Sequence, residues 1–127
     1  LDDTDLLAAA VAARANAYAP YSRFSVGAAL ACEDGTIVAG VNVENASYGM
    51  TMCAERSAVF AAVASGRTRF RAIAIAGPPG VTTPPCGACR QVLVEFGRDL
   101  RVLYTSASGH ETTTVGALLP ATFVLPA

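Results

Sequence analysis

The chain has 127 residues, 53% of them hydrophobic and 15% charged, enough to bury about two-thirds of its unfolded surface in one domain and too apolar for a disordered chain. Its net charge is −1 and its nine basic residues are scattered arginines, so the basic face that a polynucleotide partner needs is not expected. No apolar run approaches the ~20 residues that span a bilayer; a mean hydropathy of +0.42 predicts instead a subunit that buries surplus apolar surface against copies of itself.

Leu6, Leu7, Ala10, Val11, Arg14 and Tyr18 recur at helical spacing and predict a first helix over about 4–17, begun by Asp2, Asp3 and Asp5 and stopped near Pro20. A hairpin follows, with arms over about 25–32 and about 37–42 around Asp34-Gly35. Its arms are apolar with little alternation, as in a sheet covered on both faces. From 43 to 52 the chain is polar and irregular, and Asn42, Glu44 and Asn45 there are equally suited to turn chemistry and to binding a hydroxylated ligand. A second helix is predicted over 53–64, closed by Ser65-Gly66, then a strand over 70–76, a Gly/Pro-rich loop, and a third helix over 87–96. A fourth strand over 101–104, a fifth near 111–115 and a short helix near 115–119 complete the order. The pattern α-β-β-α-β-α-β-β implies an α/β fold, a three-layer α-β-α sandwich with one mixed five-stranded sheet, formed by residues 1–127 as a single domain.

Four cysteines are present, but the acidic start L-D-D-T-D carries no signal peptide, so the expectation is a reduced, cytoplasmic protein whose thiols serve a metal. Cys53 begins one helix in T-M-C-A-E-R; Cys86 and Cys89 open another in P-C-G-A-C-R-Q, three apart and therefore pointing the same way. Three thiolates suffice to hold one Zn²⁺ per chain and leave a tetrahedral position for water. Both helix starts favour the thiolate. Glu55, not needed as a ligand, is the candidate proton shuttle for a hydrolytic reaction. A redox dithiol and a structural zinc with Glu55 as fourth ligand are the competing readings. Arg56 and Arg90 follow functional residues and are candidates to offset the negative charge of a three-thiolate centre, with Arg56 expected to hydrogen-bond a ligand sulfur. Cys32 reads as a packed core thiol and His110 as a solvated loop residue.

Taken together, T-M-C-A-E-R, P-C-G-A-C-R-Q, R-F-S-V-G-A-A-L, N-V-E-N-A-S-Y-G and L-L-P-A-T-F resemble, in order, the zinc-dependent cytidine deaminases of the small homotetrameric kind. The resemblance implies Cys53, Cys86 and Cys89 as zinc ligands, Glu55 as proton shuttle and Arg56 as a charge-neutralising neighbour. It also implies Phe24 on the pyrimidine ring, Asn42 and Glu44 on the ribose 3′-hydroxyl, and the Ala54 backbone on the pyrimidine carbonyl. Tyr48 and Phe123 would contribute to active sites shared between subunits. The implied reaction converts cytidine and 2′-deoxycytidine to uridine and 2′-deoxyuridine, releasing ammonia, as in pyrimidine salvage. A deaminase of another cytosine nucleoside, of the blasticidin-S type, and a non-catalytic zinc-stapled interaction module are the alternatives.

Overall fold

The computed structural model describes residues 2–126. Five strands, β1 (Gly27–Cys32), β2 (Ile37–Val41), β3 (Phe70–Ala76), β4 (Arg101–Ser106) and β5 (Gly109–Thr114), form one sheet in the order β2-β1-β3-β4-β5. The β3–β4 pair is parallel and the other three pairs are antiparallel. Four helices, α1 (Asp3–Ala13), α2 (Ala54–Ala64), α3 (Gly87–Val94) and α4 (Val115–Leu118), complete the fold.

The pleat sorts the core by size. Alternate residues of β1 and β3 send Leu30, Ile73 and Ile75 to one face, where they meet Ala58, Val59 and Ala62 of α2 and Leu93 of α3. Their neighbours Ala29, Ala72, Ala74 and Ala76 face the other way, against Leu6 and Ala10 of α1. The expected three-layer sandwich with a mixed five-stranded sheet is therefore the observed architecture. Small residues bring both helical layers very close. A Cβ on Gly27 would lie 2.2 Å from the Ala10 carbonyl oxygen, and one on Gly40 would lie 2.4 Å from Ala58 N and 2.5 Å from Ala54 O.

Some elements depart from the sequence expectation. The first helix starts on an Asp2/Asp5 capping box but stops at Ala13, followed by a 3₁₀ turn over Arg14–Asn16. Tyr18 lies outside it, because its N–H donates to Asn42 O at 3.0 Å and the chain forms a parallel bridge to Val43. Val11 and Tyr18, assigned by periodicity to the apolar face, are both more than half exposed. The third helix ends at Val94, because the chain turns at Gly97, whose φ of 132° suits glycine. His110 belongs to a strand, paired with Thr105, since Gly109 with φ 133° makes the β4–β5 turn tighter than a free loop. Cys32 ends β1 and is buried, as expected.

Gly40 thus sets the distance between β2 and the start of α2. Gly40→Ala is expected to destabilise the chain by about 1–3 kcal/mol, read as a lower urea midpoint with zinc held constant. An unchanged midpoint would mean that α2 slides over the added methyl at no cost.

Candidate metal centre and adjoining cleft

Two helices begin at the same place. Cys53 is the N-cap of α2 and Cys86 the N-cap of α3, and Cys89 lies in the first turn of α3. Neither N-cap side chain accepts a capping hydrogen bond among the described residues, so the sulfurs are turned outward and the first backbone N–H groups of both helices face the same region. The three Sγ atoms lie within 4.8 Å of one another. Cys53 and Cys86 are 3.8 Å apart, and Cys86 and Cys89 3.4 Å. A tetrahedral zinc with bonds of about 2.3 Å requires sulfur–sulfur edges of about 3.8 Å, whereas a disulfide requires about 2.05 Å. The cysteines are free, and the convergence of three sulfurs at these distances suits a zinc ion, where a redox couple would use only two.

The acid–base chemistry of the donors points the same way. A thiol proton from Cys89, followed by the Arg56 guanidinium, brings Cys53 down to about 5. The adjacent negative sulfur and burial in turn push Cys89 up. Negative charge at one sulfur makes charge at the next expensive, and a divalent cation relieves that conflict by replacing the shared protons. The donor set therefore fits one Zn²⁺ per chain.

Arg56, one turn along α2 from Cys53, donates from Nη2 to Cys53 Sγ at 3.4 Å. Its Nε is buried with no hydrogen-bond partner among the described residues, a donor left facing an electron-rich cluster. Arg90 behaves differently from expectation: its Nε donates to Pro85 O at 2.8 Å and its Nη1 to Leu118 O at 3.0 Å. It fastens the approach to α3 onto the C-terminal segment and makes no hydrogen bond to a sulfur among the described residues. Glu55 is 5% exposed, and burial raises its carboxyl above the ordinary value, with its own backbone amide pulling the other way.

A cleft of about 270 Å³ opens beside the sulfurs. Phe24, Asn42, Glu44, Cys53, Ala54, Glu55 and Cys86 line it, so segments far apart in sequence converge there. Cys89 sits behind them, fully buried. Ala54 is the first residue of α2, and its N–H is one of the helix donors without an intrahelical acceptor. Asn42 is a structural residue as well as a wall of the cleft: Oδ1 accepts from Val26 N at 2.9 Å and Nδ2 donates to Phe24 O at 2.8 Å. Glu44 accepts from Tyr21 N at 2.9 Å and Ser22 N at 3.1 Å through Oε1, and from the Ser22 hydroxyl through Oε2. That hydroxyl, before the two amides, holds the Glu44 carboxyl below its usual range. Asn45 serves its own loop, accepting from Ser47 N at 2.9 Å.

Two expected residues lie elsewhere. Tyr48 borders a neighbouring cavity of about 360 Å³ with Tyr21, and that cavity shares Ser22, Glu44 and Thr51 with the cleft. Phe123 lies over α3 beside Gln91, Val94 and Glu95, away from this chain's own cleft. Ser22, Val26, Thr51, Met52, Thr83 and Pro84 also line the cleft, beyond the residues that the sequence motifs point to. Ser22 had a signal in its sequence, a hydroxyl two residues before Phe24.

Comparison with known proteins agrees with this geometry. Residues 2–106 match the profile described as the cytidine and deoxycytidylate deaminase zinc-binding region. The chain belongs to that deaminase family. It is 49% identical over 125 residues to a cytidine deaminase of Sporosarcina psychrophila, covering 97% of this chain and 92% of the relative. It is also similar to the crystal structure of cytidine deaminase from Burkholderia pseudomallei, with a TM-score of 0.91 at 48% identity, covering 97% of this chain and all (100%) of that one. A blasticidin-S deaminase of Bacillus cereus is more distant, 29% identical over 107 residues, covering 78% of this chain and 76% of the relative.

Loading zinc onto three thiols turns a neutral cluster into one of net charge −1, which the Arg56 cation stabilises. Arg56→Ala is expected to weaken zinc binding by about 10–100-fold, measured by competition with a chromogenic chelator. Wild-type affinity in that variant would show the guanidinium to be a bystander.

Proposed function

We propose that the chain deaminates cytidine and 2′-deoxycytidine hydrolytically to uridine and 2′-deoxyuridine, releasing ammonia, with zinc as cofactor, the whole chain acting as a single deaminase domain. The observation that carries this reading is the shared wall: Glu55 is buried, yet it lines the same cleft as two of the three clustered thiols and the Phe24 ring. The names of the relatives support the substrate class.

Zinc held by Cys53, Cys86 and Cys89 would supply Lewis acidity, making a water nucleophilic near neutral pH. The protein's own groups do the rest. Glu55 takes one proton from the attacking water and gives it to the ring nitrogen, then takes the second proton of that same oxygen and passes it to the amine as the C–N bond breaks and ammonia leaves. A carboxyl whose proton affinity is raised by burial suits a group that must be base and acid in turn. The Ala54 N–H, at the positive end of α2, donates to the pyrimidine carbonyl oxygen. Phe24 offers its ring to the base. Glu44, kept ionised by its donors, takes a sugar hydroxyl, with Asn42 beside it. Since these contacts fall on the 3′ side, ribose and deoxyribose are both accommodated.

The working form is read as a homotetramer in the cytoplasm, serving pyrimidine salvage. Tyr48, Met50, Phe123, Val124 and Leu125 support self-association, because each is more than two-thirds exposed and apolar side chains so placed gain from burial. Tyr48 and Phe123 would then complete the sites of neighbouring subunits.

Glu55→Gln separates catalysis from metal binding. The variant is expected to keep one zinc per chain while its turnover of cytidine, followed by absorbance, falls by at least about 10²-fold. Loss of zinc with activity would make Glu55 a ligand and favour a structural metal.

A further inference from the structure

The reading above, on which this inference rests, assigns Glu44 to the sugar and Phe24 to the base, but both belong to segments with little regular structure. Phe24 lies between the 3₁₀ turn and β1, and Glu44 lies just beyond β2. Something must hold them in register. The pair of segments is partly stitched by backbone, through Tyr18 N to Asn42 O at 3.0 Å and Glu44 N to Tyr18 O at 2.8 Å. Those bonds end at Tyr18, however, and the chain from 21 to 24 departs from them. Within it Arg23 has a φ of 59°, a left-handed conformation that a residue with a Cβ adopts only when its surroundings enforce it.

The Arg23 N–H donates to Ala19 O at 3.0 Å and Asn42 holds Phe24 O, and a hydroxyl spans the residue between. Phe24 N donates to Ser22 Oγ at 3.0 Å, and Ser22 Oγ donates to Glu44 Oε2. The left-handed residue is therefore spanned by one side chain that accepts from the residue after it and donates to a carboxylate across the cleft. Donor and acceptor point one way along the chain Phe24 N–H, Ser22 O–H, Glu44 carboxylate, so each bond polarises the next. With Oε1 occupied by two backbone amides and Oε2 held by Ser22, the carboxylate plane is fixed and a limited acceptor direction remains for a ligand hydroxyl. Ser22 itself lines the cleft between the two residues.

We propose that Ser22 is a positioning residue for nucleoside binding, its hydroxyl setting the Glu44 carboxylate relative to Phe24 so that base and sugar are gripped at a fixed separation. It acts through Glu44 and carries no proton in the reaction. Removing it loosens substrate binding while the chemistry at Glu55, on α2, continues.

The test compares Ser22→Ala, Ser22→Thr, Glu44→Ala and the Ser22→Ala/Glu44→Ala double variant, each full length and carrying one zinc. Ser22→Ala is expected to raise KM for cytidine about tenfold, the cost of losing a hydrogen bond to a charged group, with kcat within about twofold. Ser22→Thr, which keeps the hydroxyl, restores KM to within about threefold. In the Glu44→Ala background the added Ser22→Ala change raises KM less than about twofold. A wild-type KM in Ser22→Ala, or the same KM factor with and without Glu44, overturns the proposal. Amide hydrogen exchange gives an answer independent of turnover. Faster exchange at Tyr21, Ser22 and Phe24 in Ser22→Ala supports the coupling, and unchanged protection overturns it. Failure of the wild-type protein to deaminate cytidine in the same assay would instead remove the functional reading while leaving the exchange result to judge the hydroxyl.

Discussion

The structure depends on holding two helix N-termini against each other. Helix starts are ordinarily stabilised by a side-chain oxygen on the N-cap, worth about 1 kcal/mol each. At α2 and α3 that position is a cysteine without a capping hydrogen bond. The fold forgoes two caps and leaves backbone donors facing one another, an arrangement that repels until negative charge and a metal fill the space between. Gly40 seats α2 on β2 closely enough that no methyl fits between them. The approach to α3 is fastened by Thr83 N to Thr105 O at 2.9 Å and by Arg90 to the carbonyls of Pro85 and Leu118. Each helix is thus anchored to a different part of the sheet, and the sulfurs meet because the sheet keeps its shape.

The cleft beside the metal centre is built by a second economy, in which the groups suited to a nucleoside also hold the backbone. Asn42 clamps Phe24 and Val26, and Glu44 clamps Tyr21 and Ser22. Turn chemistry and ligand recognition, equally suited to Asn42 and Glu44 on sequence grounds, are compatible here because an amide or a carboxylate has more hydrogen-bonding positions than one partner uses. Asn45, by contrast, turns to its own loop. The segment from 18 to 26, nearly devoid of regular structure, gains its rigidity from side chains of the strand-end opposite.

What could be read along the chain was whatever depends on neighbours in sequence. The Asp34-Gly35 turn lies between β1 and β2, and the A-I-A-I-A run of β3 divides into a large face and a small one. Local periodicity fails where a distant partner overrules it. Tyr18 fits the helical spacing but is drawn off by Asn42; His110 follows a Ser-Gly pair yet pairs with Thr105; Arg90 follows Cys89 yet points to the C-terminal segment.

The sequence by itself determined the donor types and their local direction: three thiols and a carboxylate at two helix starts, since three- and two-residue spacings fix relative orientation within a helix turn. It determined the order of elements too, because period and turn residues are local. Only the tertiary structure decided that Cys53 and Cys86, far apart in the chain, lie 3.8 Å apart, that Phe24 and Glu44 share one cleft with them, and that Ser22 ties those two together. Those distances are set by how closely α2 packs on β2 and by which backbone groups remain unpaired at the strand ends. Both are properties of the packed sheet, and no short window of residues contains them.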